Sequence, residues 1–297
     1  MTMVDDERDT ASWCVAGWSS VRQHLSREHE PTPGSIWRAR WDDIVQLVLV
    51  DAAPDASNRV RVTPVGIGDE DADETTVVVP AEETELNEPL SIWVTLTTDV
   101  GAITLDRQVA TMKTYHSADD VATAAQAGSL RCGYVVANDS SPRRAQKKIL
   151  EYTIQALTHA ARLRGGRGTL QERLRDITIS ELADALGGDT PLAVKLKRGK
   201  VVLDEPQAER VAEVTGLDAE ELLDANPAPP ARLVQIVNDW HRGEPLRAVA
   251  RRRDEPESEV FTQLTQSVLG LAARGEKRDT VDWAGRVDTY LHMAMSD

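Results

Sequence analysis

The sequence has few of the residues that mark particular classes of protein, and cysteine and phenylalanine are the scarcest. Its 297 residues include one phenylalanine and two cysteines, Cys14 and Cys132. Cysteines this far apart, with no His or Cys beside them at metal-ligand spacing, exclude a disulfide framework and a cysteine-based metal site. We expect both thiols to be reduced and no metal to be bound.

Long apolar runs are also missing. No stretch approaches the eighteen apolar residues that a membrane-spanning helix needs. Where a signal peptide would be basic and then apolar, the chain begins with Asp5, Asp6, Glu7 and Asp9. The sequence therefore predicts a cytoplasmic protein with no membrane partner.

The motifs of common active sites are absent as well. The six histidines have no metal-binding spacing, no glycine-rich phosphate loop occurs, and no serine or cysteine lies in a nucleophile motif. We expect no catalytic residue and no cofactor, and we predict that the protein is not an enzyme.

Positive charge is scarce overall but concentrated in one block. The net charge is −15, which argues against binding to nucleic acid, because phosphate contacts are electrostatic. However, residues 142–200 hold 13 Lys and Arg against 6 Asp and Glu, whereas residues 1–141 hold 10 against 24 and residues 201–297 hold 11 against 19. The basic block predicts a DNA-facing surface, and the alternative is a set of solvated helix faces that balance two acidic neighbours.

Five helix starts follow one another inside and just beyond this block, over residues 169–225. A polar cap three residues before Glu or Gln marks a helix start, because the two side chains satisfy backbone amides that the helix leaves free. The starts are Thr169 with Glu172, Thr178 with Glu181, Thr190 followed by Pro191, Asp204 with Gln207, and Asp218 with Glu221. The glycines placed to end the second, third and fourth helices are Gly187, Gly188, Gly199 and Gly216.

Apolar residues fit the same division into five helices. Each predicted helix has a pair spaced to form one buried face: Leu170 and Leu174, Leu182 and Leu186, Leu192 and Leu196, Val211 and Val214, Leu222 and Leu223. Helices this short are not stable alone. The stretch therefore predicts one compact helical domain.

The order and spacing of these positions resemble the lambda-repressor-like (XRE-type) helix-turn-helix family. The match covers about 57 residues, 169–225, and is carried by the runs at 180–187, 196–200, 209–217 and 220–223. The resemblance implies that the helix from about Thr190 to Arg198 enters the major groove of double-stranded DNA. It also implies that Thr178, Ser180 and Lys197 belong to the DNA-binding surface.

Within this family pattern, individual residues receive roles. Thr190 and Lys195 would face base edges, while Arg198 and Lys200 would meet phosphate. Pro191 departs from the pattern, because the family often has a polar base-reading residue there. We expect it to offer only apolar contact, for example to a thymine methyl group.

A basic helix is predicted before this domain, with a boundary at residue 139. Ser141 caps it, Pro142 starts it, and Arg143, Arg144 and Lys147 occupy its first turns. Positive charge there has the wrong sign for the helix dipole, so something negative should lie opposite. DNA phosphate and the acidic N-terminal half of the chain are equally good candidates.

The N-terminal part changes from a helical to a β pattern. Residues 1–33 predict an amphipathic helical segment through Trp13 and Trp18, closed by prolines. Short β candidates then follow, at 35–41, 44–50, 59–65, 75–79 and 91–96, with a helix at 118–127 and one further strand at 130–137. This spacing predicts a small antiparallel β-barrel within residues 34–138.

Residues 34–109 resemble the MazF/PemK toxin family, whose SH3-like barrel dimerises and cleaves RNA. The resemblance is carried by 34–37, 60–65 and 103–109. That chemistry needs a loop Arg and a Thr or Ser, and Thr63 fills the second role. Asp42 and Asp43 stand in place of the Arg, where carboxylates would repel phosphate, so we expect an inactive barrel.

Together these patterns predict an α+β multidomain protein. We expect a helical segment at 1–33, an SH3-like barrel at 34–138, a basic helix plus helix-turn-helix domain at 139–225, and a helical dimerisation region at 231–297. The predicted function is a dimeric, sequence-specific transcriptional regulator whose barrel senses a ligand or binds a protein partner. The alternatives are a MazF-like endoribonuclease toxin of a toxin-antitoxin system fused to an autoregulatory DNA-binding domain, and a protein-binding scaffold.

Overall fold

The fold is described from a computed structural model over residues 30–133, 142–163, 166–199, 201–203, 205–272 and 281–296. The chain forms two compact units. The sheet unit comprises the residues up to Ala161 together with Asn238–Pro245, and the helical unit comprises Arg162–Val237 and the residues from Leu246 onward. The helical segment predicted at 1–33 lies, up to residue 29, outside the described residues.

The sheet unit contains an antiparallel sheet of eight strands. Their bounds are β1 Ser35–Trp41, β2 Ile44–Val50, β3 Arg59–Ile67, β4 Val77–Val79, β5 Leu90–Ile92, β6 Thr98–Gly101, β7 Leu105–Thr111 and β8 Arg131–Cys132. The strands pair in the order β7-β1-β2-β3-β5-β4-β8, and β6 pairs with β3 beside β5. Within the described residues this path does not close into a ring. The α+β class and the antiparallel sheet are therefore confirmed, and closure of the sheet into a barrel is not.

The five strands predicted first are all present, but the structure differs from the prediction in the bounds of one strand and in the strands that follow it. The run at 91–96 ends as a strand at Ile92 and continues as a 3-10 turn over Val94–Leu96. The short strand β6 was not predicted, because Thr98–Gly101 has no alternation of apolar and polar residues to mark it. Residues 134–137 of the last predicted strand lie outside the described residues.

Two helices belong to the sheet unit. Helix α1 (Ala118–Gln126) begins at the cap Ser117, and its Val121 joins the apolar cluster of Ile36, Leu49 and Leu90. Helix α2 (Pro142–His159) packs on β1, β2 and β6 through its buried residues, which are Leu150, Ile154 and Leu157.

A distant segment, Asn238–Pro245, completes the sheet unit. The carbonyl oxygen of Asn238 accepts a hydrogen bond from the Ile103 amide at 2.9 Å. Gly101 leaves room for this contact, because a Cβ there would lie 2.7 Å from Oδ1 of Asn238. Trp240 meets the buried ring of Trp37 edge to face, with centroids 6.1 Å apart. Aromatic pairs favour this geometry, so the segment is anchored at several points.

The helical unit contains nine described helices, one of which it shares with the sheet unit. They are α3 Leu170–Arg173, α4 Ile179–Ala185, α5 Thr190–Lys197, α6 Glu205–Thr215, α7 Ala219–Asp224, α8 Ala231–Val237, α9 Gly243–Arg253, α10 Glu257–Ala272 and α11 Trp283–Ser296. Helix α9 crosses from one unit to the other near Pro245. Leucine and alanine side chains from α3 to α7 form one buried cluster, as the apolar spacing predicts.

The structure divides the chain at Ala161 rather than before residue 139. The reason is the buried face of α2, which lies on the sheet. Residues 231–297 are likewise divided, since Asn238–Pro245 belongs to the sheet unit. A charge pattern does not locate such a boundary, because charge reports on the exposed side of a helix and not on what its apolar side covers.

The predicted helix starts are confirmed in part. Thr178 and Glu181 form a reciprocal capping box, and the Asp218 carboxylate accepts from the Glu221 amide at 2.9 Å. Thr169 begins α3 without a side-chain cap, so that prediction was wrong in its chemistry. Asp204 lies outside the described residues.

Two further expectations for the helical domain were wrong in position. The cap of α5 is Asp189, whose carboxylate accepts from the Leu192 amide at 2.9 Å, so Thr190 is the first helical residue rather than the cap. Val214, expected in the core, is 53% exposed, whereas Val211 of the same helix is buried.

Candidate nucleic-acid interface

Helices α4 and α5 and the turn between them form the candidate site. The turn contains Gly187 and Gly188, whose φ angles of 71° and 91° lie in the left-handed region that favours glycine. Leu182 of α4 packs with Ala193 and Leu196 of α5 in the cluster described above. Because those apolar side chains are buried, the opposite side of α5 faces solvent.

One side of α5 brings together four of the predicted DNA-contacting residues. Thr190, Pro191, Lys195 and Arg198 are all exposed, while Ala193 and Leu196 on the opposite side are buried. Pro191, Lys195 and Arg198 lie on one face, since their spacings of four and three follow the helical repeat, and Thr190 lies beside them at the first position of the helix. An exposed helix face that carries two cations and ends in basic residues has the shape and charge to lie against a polyanion.

Thr178 and Ser180, at the start of α4, are exposed as well. The Thr178 hydroxyl is occupied, because it donates to the Glu181 carboxylate at 2.7 Å and accepts from the Glu181 amide. The hydrogen bonds from the Thr178 amide and hydroxyl lower the pKa of Glu181 below its ordinary value. The capping box therefore fixes the N-terminal turn of α4 with an ionised carboxylate.

Lys197 does not share the exposed face of α5. It is half-buried, and its ammonium group donates a hydrogen bond to the carbonyl oxygen of Ile177, just before α4. This contact joins the end of α5 to the residue that precedes the α4 cap. Lys197 therefore holds the two helices together, a role that its position in the sequence pattern did not reveal.

The remaining predicted DNA-contacting residues are Arg143, Arg144, Lys147 and Lys200, and no contact of the described residues places them on this face of α5. Lys147 belongs to the sheet unit, where its ammonium group lies 3.2 Å from the Asp73 carboxylate and 3.0 Å from the Thr75 hydroxyl. Of the two alternatives for the basic helix, the acidic N-terminal half supplies this partner. The side chains of Arg143 and Arg144, and all of Lys200, lie outside the described residues.

The basic block is consequently shared between the two units. Helix α2 carries its first four cations in the sheet unit, and the remaining cations follow in the helical unit. The coincidence of charge with the helix-turn-helix pattern is therefore weaker than the sequence suggests. Among the described residues of α5 and its C-cap, Lys195 and Arg198 are the exposed basic residues.

Thr63, the residue that the toxin resemblance would make catalytic, is buried at the inner end of a polar cluster that reaches the surface at Thr97. Its hydroxyl donates to the Asp51 carboxylate at 2.6 Å and lies 2.7 Å from the Thr97 hydroxyl, which itself donates to the Val94 carbonyl at 3.1 Å. Asp51 also accepts from the amide of Ala118, the first residue of α1, at 2.6 Å. The cluster ties β2 and β3 to α1, and sequence reasoning missed it because its members are distant along the chain.

Burial and neighbouring groups together set the titration of Asp51. Burial raises the pKa of Asp51 above its ordinary value of 3.8, and nearby Asp119 acts in the same direction, against the hydrogen bonds from Thr63 and Ala118 and the charge of Arg61.

Asp51→Asn is therefore expected to stabilise the sheet unit at neutral pH. The folded protein keeps its proton at pH values where the unfolded chain has lost it, so the wild-type free energy of unfolding falls as pH rises above 3.8. Each pH unit between the two pKa values corresponds to about 1.4 kcal/mol. The asparagine side chain is uncharged at every pH, so the advantage of the variant should be absent near pH 3.8 and grow as the pH rises above it, in hydrogen-exchange measurements of β2 and β3.

Asp73→Asn is the matched control and should behave in the opposite way. Burial alone would raise the pKa of Asp73, but hydrogen bonds from Thr75, Thr76 and Lys147 outweigh it and lower the pKa. This carboxylate stabilises the fold above its unfolded pKa, so its removal should cost stability at pH 7 and less in acid. A pH-independent difference between Asp51→Asn and the wild type would contradict our account of the cluster.

Two further features concern metal ions and the membrane. In the described ranges, no group of three or more His, Cys, Asp or Glu side chains is placed to hold a metal ion. No helix among the described residues combines the length and apolar character needed to cross a bilayer.

No family model, curated protein or solved structure matches the chain.

Proposed function

We propose that the protein is a sequence-specific, double-stranded-DNA-binding transcriptional regulator. One observation carries the proposal: α4, a two-glycine turn and α5 form a packed helix pair whose exposed face presents Thr190, Pro191, Lys195 and Arg198. In a helix-turn-helix, the second helix lies in the major groove and contacts base edges. Lys195 and Thr190 would supply polar base contacts, Pro191 an apolar one, and Arg198 a phosphate contact.

The helix-turn-helix assignment rests on local chemistry as well as on exposure. A reciprocal capping box starts α4, an aspartate caps α5, and Lys197 links the end of α5 to the start of α4. These contacts fix the angle of α5 on its own unit before any DNA is present. A fixed recognition helix loses little conformational entropy on binding.

The proposal also covers dimerisation and the role of the sheet unit. Dimerisation through the C-terminal helices would place two copies of α5 about one DNA turn apart. The sheet unit would form an SH3-like barrel that acts as a sensing or interaction module, in a cytoplasmic protein. The engagement of Thr63 with Asp51 and Thr97 supports a binding role over RNA cleavage.

The test begins with selection of bound duplexes from a random library by the full chain. Lys195→Ala/Arg198→Ala should then weaken binding to the selected site by about 100-fold, because each lost contact is worth about 1 to 3 kcal/mol. The slope of log affinity against log salt concentration should fall by about 1, since Arg198 is the one of the two cations that faces phosphate. Far-ultraviolet circular dichroism should be unchanged, because both side chains are exposed.

Arg232→Ala is the matched control, since it removes an exposed cation from α8 in the same unit. Its affinity and salt slope should equal those of the wild type. Failure of the library to yield any preferred sequence, or an equal loss in the control and in the double variant, would overturn the proposal.

A further inference from the structure

Helix α2 carries a second apolar face that nothing in the described part of the chain covers. Ile149 and Tyr152 are 58% and 70% exposed, and they are the large exposed hydrophobic residues of the described sheet unit. Ala145 is exposed on the same side of the helix, four residues before Ile149. We call Ala145, Ile149 and Tyr152 the outer stripe, since Leu150, Ile154 and Leu157 are buried on the opposite side.

The beginning of the chain carries a stripe of the same kind with no assigned partner. Cys14, Trp18, Val21 and Leu25 recur at spacings of four, three and four, which places them on one face if these residues are helical. A helix of that character needs an apolar surface to cover. The outer stripe is such a surface, and it lies in the unit that the first residues of the chain lead into.

Charge and length also fit. Asp5, Asp6, Glu7 and Asp9 precede the N-terminal stripe, and the first turns of α2 carry Arg143, Arg144, Lys147 and Lys148. Lys148 is exposed, and no ion pair of its side chain occurs within the described ranges. A parallel arrangement would bring the acidic residues beside the basic turns, where the positive N-terminal end of the helix dipole also attracts anions.

The reach of the N-terminal stripe is set by the few residues that join it to the sheet. Helix α2 contacts β1, which begins at Ser35. The turn before β1 is fixed, because the Ser35 amide donates to the Thr32 carbonyl oxygen and the Gly34 amide to that of Val50. Residues 26–29 can span up to about 14 Å when extended, and a helix over residues 14–25 would be about 18 Å long, so the two together can extend about 30 Å from residue 30 without any change in the sheet.

From these observations we propose that residues 5–25 dock as a helix on the outer stripe of α2. The segment covers Ile149 and Tyr152 with Trp18 and its neighbours, and its acidic residues lie beside the basic turns of α2. This contact would withdraw the cations of α2 from nucleic acid and leave those of α5 available. The inference does not depend on the proposed DNA-binding function.

Disulfide trapping tests the contact, because Cys14 lies on the N-terminal stripe. In the full chain carrying Cys132→Ser and Ile149→Cys, mild oxidation should form an intramolecular disulfide between positions 14 and 149, identified by peptide mapping. The rate should exceed by at least ten-fold that of the matched variant Glu151→Cys, whose exposed side chain points away from the outer stripe. A disulfide-linked dimer in place of the internal bond would mean that a second copy covers the stripe, and absence of any bond at position 149 would also overturn the proposal.

Thiol protection gives a second measurement that needs no cross-link. In a Cys14→Ser/Cys132→Ser background, alkylation of Ile149→Cys should become about ten-fold faster when Trp18→Glu places a charge on the N-terminal stripe. Ser19→Glu adds the same charge off the stripe and should leave the rate unchanged. Equal alkylation rates in the two charge variants would contradict docking.

Discussion

Asp106→Asn is expected to lower the free energy of unfolding of the sheet unit by about 3 to 5 kcal/mol, the usual cost of removing one partner from a buried ion pair. The Arg38 guanidinium pairs with the Asp106 carboxylate, and their side chains are only 4% and 2% exposed. An arginine does not lose its proton when its partner is removed. The variant therefore keeps a buried cation between β1 and β7 and removes the carboxylate that pairs with it.

The effect can be measured in the full chain by hydrogen exchange of the β1 and β7 amides, which reports local unfolding free energy. Asp99→Asn is the matched control, because Asp99 pairs with Arg61 on the same sheet at 3.6 Å with both side chains more than half exposed. Exposed pairs contribute about 0 to 1 kcal/mol. Similar losses in the two variants would show that burial does not set the strength of the Arg38 pair.

Replacement of both partners separates charge from packing. Arg38→Met/Asp106→Leu should recover most of the stability lost in Asp106→Asn, since apolar side chains of similar volume often replace a buried pair without cost. A double variant as unstable as the single one would indicate that the cost comes from shape rather than from an unpaired charge.

The sequence predicts local structure well where the determining residues are close together. Strand β1 follows directly from apolar alternation and β2 from a short apolar run, and the caps at Thr178 and Asp218 involve residues three apart. The glycines that end helices are also predicted from their immediate neighbours in the sequence. Gly199 and Gly216 adopt φ angles of 61° and 70°, as helix-ending glycines do.

Prediction from sequence fails where distant residues decide the outcome. Arg38 and Asp106 are 68 positions apart, and no local spacing pairs them. The return of Asn238 and Trp240 to the sheet unit has no sequence pattern at all. Tertiary contacts of this kind have no period, so composition and spacing do not reveal them.

The candidate site shows the same limit on a smaller scale. Lys195, Lys197 and Arg198 are equivalent in a sequence reading, because all three are cations near the end of one helix. Burial separates them: Lys195 and Arg198 are exposed, while Lys197 turns toward Ile177. Only the packing of α5 against α4 decides which cations are available to a partner.

Leu196→Ala is expected to lower the free energy of unfolding of the helical unit by about 2 to 5 kcal/mol, the range for truncating a fully buried leucine. Leu196 has no exposed surface and belongs to the cluster formed by α3 to α7. Helix α5 has only eight residues, and a helix this short depends on such packing rather than on its own propensity. Hydrogen exchange of α4 and α5 should rise accordingly, while β1 and β7 should exchange at the wild-type rate.

The same variant should lose affinity for selected DNA in proportion to the unfolded fraction of the unit, although Leu196 itself touches no partner. Val194→Ala is the matched control, because Val194 lies on the same helix but is only half-buried, and it should cost less than about 1 kcal/mol. Leu196→Met, which keeps the volume, should cost less than about 1.5 kcal/mol and retain binding. If Leu196→Ala left both the exchange of α4 and α5 and the DNA affinity unchanged, α5 would be held by something other than its apolar side, and the recognition face inferred from its burial pattern would be wrong.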